Sequence, residues 1–219
     1  MPNHPPVSVR VWGDFACFTR PEMKVERVSY EVMTPSAARG ILEGIFWKPE
    51  MRWQIVSISV LRPIRHFSIL RNEVTEKIAP ITVGKWMKGT EEPQFLADEN
   101  RAQRHTLALR DVAYRIDAQP VLREHADKDI AAYRDQFRRR VTRGQCHIRP
   151  CLGCREFAAN FADADDAEKP IAFTGDLGQM LFDLRYDPQA GRADPVFFDA
   201  QLEDGVLRVP QELYEEVNP

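Results

Sequence analysis

The apolar residues of this chain change period in a fixed order, and that order confines the fold to a mixture of strands and helices. Residues 7–18, VSVRVWGDFACF, alternate at the period of two that a half-buried strand requires. Val7, Val9, Val11 and Phe15 fall on one face, and Gly13 marks a bulge. Thr34 then offers a cap, Pro35 fits a first helical position, and Ala38, Ile41, Leu42, Ile45 and Phe46 form a helical stripe that ends at Lys48-Pro49. The segment MRWQIVSISVLRPIRHFSIL, residues 51–70, returns to strand alternation, as one long strand or two consecutive ones. Residues 105–116 alternate again. Over 128–143 the spacing of Ile130, Tyr133, Phe137 and Val141 predicts a second helix, with its arginines turned away from the core and Gly144 as the stop. Residues 152–161, LGCREFAANF, read as a further strand.

Strand, helix, strand, strand, helix, strand is the ferredoxin-like βαββαβ order, in which both helices cover one side of an antiparallel sheet. Residues 72–104 break the pattern. They carry Pro80, Gly84, Gly89 and Pro93 without a clear period and read as a long excursion. From residue 170 onward, short strands with turns at Pro188–Gly191 and at Asp204-Gly205 predict a β-rich appendage. The expected class is therefore α+β, with residues 1–165 as the ferredoxin-like domain and 166–219 as a β-rich C-terminal extension.

A chain of 219 residues with 43% hydrophobic and 29% charged residues buries a core without help from disulfides or metals. It holds no apolar run of about 18 residues, so no membrane span is expected. The opening MPNHPPVSVRVWGDF lacks a basic region followed by an apolar stretch, so no signal peptide and a cytoplasmic location are expected. Reduced thiols are then expected at Cys17, Cys146, Cys151 and Cys154. The C-x4-C-x2-C spacing of the last three invites a zinc reading, but His147 is the sole nearby fourth ligand and would sit in a cramped loop. Buried thiols packing a strand are the plainer reading, and neither metal nor cofactor is expected.

The formal charge is −3, which argues weakly against a nucleic-acid partner. The average hides an asymmetry. Arg134, Arg138, Arg139, Arg140, Arg143, Arg149 and Arg155 lie within 22 residues that include one acidic residue, Asp135. The rest of the chain is correspondingly more acidic. A basic stripe on an acidic body suits a polyanion, although a solvated helix face has the same composition.

The same stretch carries a family resemblance. RRRVTRGQCHIRPCLGCREFAANF, residues 138–161, resembles a pattern of the CRISPR-associated Cas-five family, Dvulg (type I-C) subtype. There an arginine pair precedes GQC and a PYLGCREF block; here Cys151 replaces the tyrosine. VWGDFACFTRPEMKVERVSYEVMTPSAARGILEGIFWKP, RAQRHTLALRDVAY and DLGQMLFDLRY resemble further blocks of that family, in order along the chain. The resemblance implies membership of the RAMP group, with an RRM-like fold, and the hairpin repeat of precursor CRISPR RNA as partner. It implies a metal-independent endoribonuclease that cuts the precursor and stays on the 5′ handle of the guide, beside other subunits of the type I-C interference complex. The alternatives are a scaffold that binds RNA without cutting it and a subunit that binds double-stranded DNA.

Metal-free cleavage uses the 2′-hydroxyl of the RNA as nucleophile, so the protein must move protons and hold phosphoryl oxygens. In the family a tyrosine ending the first helix and a lysine–histidine pair near the second helix are catalytic. This chain has Phe46 and Ala132-Tyr133 there. The remaining proton-transfer candidates are Tyr133 and His147, with His105 and His66 as weaker ones. Lys48, Arg138, Arg139, Arg140, Arg143 and Arg155 are the candidate RNA contacts, Arg155 also being placed to pair with a carboxylate.

Overall fold

The computed structural model describes residues 4–96, 98–187 and 191–217. In it the predicted alternation becomes one nine-stranded sheet. Strand β1 (Val7–Ala16) buries Val7, Val9 and Val11, and it continues through Gly13 paired with Val112 without a bulge. Gly13 instead admits a neighbour, because a Cβ there would lie 2.7 Å from Leu152. Phe15 is 42% exposed, unlike the three valines. A 3-10 turn (Pro21–Met23) and short β2 (Arg27–Val28) lead to α1 (Pro35–Ile45). The Thr34 hydroxyl caps α1 by accepting from Ala37 N–H at 3.2 Å, and Ala38, Ile41, Leu42 and Ile45 are buried as their spacing predicts.

Residues 51–70 form two strands, β3 (Met51–Val60) and β4 (His66–Val74). A register shift between Ile55 and Ser57 reverses the inward face of β3. Met51, Trp53 and Ile55 are buried before it, Ile58 and Val60 after it. An inserted residue does this in any strand with a period of two. The backbone groups freed at Ile55 find partners in the C-terminal region: its N–H donates to Tyr214 Oη at 2.6 Å and its carbonyl accepts from Gln211 Nε2 at 2.9 Å.

The stretch 72–104 is more ordered than its sequence suggests. It holds the end of β4, helix α2 (Pro80–Met87) and the start of β5 (Arg101–Leu122). The first half of β5 pairs with β4 and β2, its second half with β1 and β3. Helix α3 (Ile130–Thr142) ends at Gly144, which takes φ +62°. The predicted strand 152–161 is mostly a loop. Gly153 at φ +86° breaks the extended run, Cys151 bridges to Ala158, and pairing begins with β6 (Asn160–Asp163).

The tail supplies β7 (Gly175–Asp187), β8 (Arg192–Glu203), β9 (Val206–Arg208) and short α4 (Leu213–Val217). Asp204 and Gly205 both take positive φ, as a tight hairpin turn needs. The other predicted turn, Pro188–Gly191, lies outside the described residues up to Gly191. Because β9 pairs with β3, the tail extends the first sheet, giving the order β6-β1-β5-β3-β9-β8-β7. Helix α1 packs on β3 and β7, and α3 on β1, β5 and β6. The two helices touch each other, and Trp53 of β3 packs on Phe137 of α3, ring centroids 4.8 Å apart. Among the described residues no helix is long and apolar enough to cross a membrane.

Candidate nucleic-acid interface

The junction of α1 with the end of α3 is where the candidate residues gather. After Gly144 the chain turns back along α1, and His147 N–H and Ile148 N–H both donate to the Gly44 carbonyl, at 2.8 and 3.0 Å. Gly44 permits this approach, since a Cβ there would lie 3.1 Å from the Ile148 carbonyl. Arg140 Nη1 donates to the next carbonyl, Ile45, at 2.9 Å, and its guanidinium lies 5.5 Å from the Phe46 ring centre. The last carbonyls of α1, which a helix leaves without internal partners, are thus taken by the 147–148 loop and by Arg140. That fixes both the loop and the helix end.

Between α1 and the loop lies a cleft of about 690 Å³. Its lining includes His147, Arg149, Trp47, Glu43, Ser36 and Gly40. His147 is exposed, and Lys48 stands exposed just beyond Trp47. Arg138, Arg139, Arg143, Arg149 and Arg155 are all exposed, and none makes an ion pair among the described residues. The carboxylate next to Arg155, Glu156, is held instead by Arg71 and Arg27.

One candidate, Tyr133, and one arginine of the basic stripe, Arg134, sit elsewhere. Tyr133 is buried, and its hydroxyl donates to Asp127 Oδ1 at 3.4 Å. Desolvation and the carboxylates of Glu50 and Asp127 push its phenol up, which disfavours the phenolate a base would need. Arg134 is 4% exposed rather than turned to solvent. Burial and the nearby charge of Arg138 pull its guanidinium down. Phe46, at the family's tyrosine position, is buried, whereas Ala132 is exposed.

The cysteines separate into two groups. Cys146 is exposed and Cys151 half-buried, but Cys17 and Cys154 are buried together under Phe67 and Phe157. Arg27 Nη1 donates to Cys154 Sγ at 3.4 Å. The Cys154 thiol donates to the Cys17 carbonyl at 3.7 Å, and the interaction of the two thiols holds Cys154 down and pushes Cys17 up. Among the described residues no group of three or more His, Cys, Asp or Glu is arranged to hold a metal.

The sequence alone does not mark Trp47 and Arg149 as cleft residues. One signal exists for Trp47: an indole following the last buried position of an amphipathic helix, directly before Lys48-Pro49, has no core to enter.

The arrangement defines a class, an α+β protein in which a solvent-facing cleft adjoins a helix and loop whose exposed arginines make no ion pairs among the described residues. The profile described as CRISPR-associated protein (Cas_Cas5) matches residues 7–210. A protein of Thermus thermophilus named CRISPR pre-crRNA endoribonuclease Cas5d is 43% identical, over 96% of this chain and 94% of its own length. One of the same name from Mannheimia succiniciproducens is 46% identical, over 96% and 97%. This chain belongs to the Cas5d branch of the CRISPR-associated Cas5 family. Two solved structures share its fold. One is titled a CRISPR-associated protein, with TM-score 0.68 and 21% identity, covering 99% of this chain and 98% of the other. The other is a functionally uncharacterized protein, SMU1763c, of Streptococcus mutans, with TM-score 0.67 and 19% identity, covering 97% and 95%.

Proposed function

We propose that this chain is a metal-independent endoribonuclease that binds the repeat of precursor CRISPR RNA, cuts it, and stays on the 5′ handle within an interference complex. The observation that carries the reading is the set of exposed arginines along α3 and the loop after it, without ion pairs among the described residues, the same loop presenting His147 and Arg149 to the cleft. The names of the two relatives with over 40% identity support the same reaction. The four strands in order β6-β1-β5-β3, with α1 after β1 and α3 after β5, support a ferredoxin-like, RRM-like unit within residues 1–165. Residues 166–219 form its β-rich extension. A cytoplasmic location suits an RNA partner and reduced thiols.

In the reaction the 2′-oxygen attacks the adjacent phosphorus and the bond from phosphorus to the 5′-oxygen breaks. One product carries a 2′,3′-cyclic phosphate and the other a 5′-hydroxyl. A proton leaves the 2′-hydroxyl and one reaches the departing oxygen. His147 is the group for that transfer, since histidine exchanges protons near neutral pH. Tyr133 is the weaker candidate, its raised phenol making it at most a proton donor. Lys48, Arg138, Arg139 and Arg143 hold phosphates, with Arg155 further along the RNA. Arg140 acts chiefly by fixing the end of α1.

The test is cleavage of the repeat RNA in EDTA. Discrete cutting is expected, with a fall of about 10²–10⁴-fold in His147→Ala. RNA with a 2′-deoxy substitution at the cut should stay whole. Cutting that survives that substitution rules out this mechanism. Phe46 and Ala132, at positions where the family is catalytic, favour a second reading: a scaffold that binds RNA without cutting. Tight, salt-sensitive binding with no cleavage supports that reading. Preference for a DNA duplex over repeat RNA supports a subunit that binds double-stranded DNA.

A further inference from the structure

We propose that the cleft between α1 and the 147–153 loop receives one unpaired nucleobase of the RNA, stacked on Trp47 and admitted through the opening that Gly40 leaves. This rests on the endoribonuclease reading and deepens it to the recognition of a single nucleotide.

Helix α1 holds two glycines, and packing explains one of them. At Gly44 the loop backbone lies where a Cβ would be. Gly40 lies one helical turn earlier and also lines the cleft, yet a Cβ there would meet nothing within 4 Å. A glycine inside a helix costs stability relative to alanine. Among the described residues nothing uses the room it leaves. The open volume points outward, into a cleft whose size falls within the roughly 300–1,000 Å³ of small-ligand pockets.

The walls suit a base. Trp47 is 50% exposed, although Phe46 beside it is buried. An indole carries a large apolar face, and base-stacking platforms are built from such rings. Ser36 offers a hydroxyl. The Glu43 carboxylate accepts from Arg39 at 2.8 Å, which offsets part of its charge, since Arg39 also serves Asp183, and leaves acceptor capacity for an exocyclic amine. Arg149, exposed and without an ion pair among the described residues, is placed for the adjoining phosphate. A double helix offers no free base face to such a site, whereas loops and ends of RNA do. The base is therefore one that the hairpin leaves unpaired or that is flipped out next to the cut.

The experiment uses the full chain and its repeat RNA. Gly40→Leu fills the opening, and Trp47→Ala and Trp47→Phe remove or keep the stacking face. Thermal melts are compared with binding and with single-turnover cleavage of RNAs carrying one abasic site at each position around the cut. Gly40→Leu is expected to melt at or above the wild-type temperature and yet to lose about tenfold or more in binding or cleavage. One abasic position is expected to cost the wild type a similar factor and to cost Gly40→Leu nothing further. Trp47→Ala should lose that factor, with Trp47→Phe retaining most of it. Should Gly40→Leu melt below the wild type, the Trp47 pair and the abasic series decide alone.

The inference is overturned if Gly40→Leu handles RNA as the wild type does, if every abasic RNA behaves alike, or if Trp47→Ala is silent. In each case wild-type binding and cleavage are intact, so the endoribonuclease reading stands. A wild type that neither binds nor cuts the repeat removes both.

Discussion

Arginines in two regions of this molecule are used in opposite ways. Over the sheet and α1 four of them are neutralised by carboxylates. Arg10 pairs with Glu168, Arg39 with Asp183 and Glu43, Arg71 with Glu73 and Glu156, and Arg115 with Asp117 and Asp166. Along α3 and the loop after it, Arg138, Arg139, Arg143, Arg149 and Arg155 face solvent without ion pairs among the described residues. The first group joins elements distant in sequence and spends its charge inside the protein. The second leaves its charge for a partner. A net charge of −3 says little about such a protein, because the field a polyanion meets is set by the cations left unpaired.

Arg39 is where this division is most exposed to failure. Its Nε and Nη2 meet Asp183 Oδ2 and Oδ1 at 2.6 and 2.7 Å, and the Asp183 side chain is 7% exposed. Burial pulls the Arg39 guanidinium down, but Asp183 and Glu43 outweigh it and push it up. Arg39→Ala leaves a buried carboxylate without its cation, at a cost of about 3–5 kcal/mol. For a chain of this size that lowers the melting temperature by roughly 10 °C. Below the new melting point, the slope of log affinity against log salt should be retained, because Arg39 contacts no phosphate. A variant that melts normally and fails to bind RNA would put Arg39 in the wrong group.

This division is only partly legible in the sequence. The density of arginines between residues 134 and 155 is plain there, as is the stripe of Tyr133, Phe137 and Val141 that buries one side of α3. Arg134 departs from that pattern because the buried face of α3 is wider than the stripe. Arg140 reads as one more surface cation until the end of α1 is seen beside it. Periodicity also fails on β3, where one inserted residue inverts the inward face, and at residues 152–158, where Gly153 turns an expected strand into a loop. The joining of β9 to β3 depends on partners far apart in the chain, which local pattern does not encode. The candidate site is legible as composition. Its geometry is not, since the cleft exists only because Gly44 lets residues 147–148 dock on α1.

Removing three of the unpaired arginines tests the division from the other side. Arg138→Ala, Arg139→Ala and Arg143→Ala combined should barely change the melt, because exposed side chains without partners usually contribute within about 0.5 kcal/mol each. Each phosphate left without its arginine should lower the slope of log affinity against log salt by roughly 0.7–0.9, so the triple variant should lower it by about two to three. Fluorescence anisotropy of labelled repeat RNA between about 50 and 200 mM salt reads this directly. Arg115→Ala serves as the control from the paired group and should leave the slope unchanged. Equal slopes for the triple variant and the wild type would remove these arginines from the RNA interface.

The smallest effect is expected at Arg10, which ties β1 to Glu168 in the segment before β7. The Arg10 guanidinium hydrogen-bonds the Glu168 carboxylate through Nε and Nη2, at 2.5 and 3.0 Å, and holds it below the ordinary 4.5. Because the folded value is the lower one, the contribution is complete above about pH 4.5, where the unfolded side chain is also ionised. As pH falls through that range toward the folded value, the unfolded chain takes up a proton that the folded chain does not, and the contribution is lost. Both side chains are partly exposed, so the pair is worth at most about 1 kcal/mol. Arg10→Ala should therefore melt a few degrees below the wild type near neutrality, with the gap closing as the pH drops from about 6 to 3. A gap that holds constant or widens in acid would mean that Arg10 stabilises the sheet by packing on Trp12, whose ring centre its guanidinium approaches to 4.5 Å, and not by its charge.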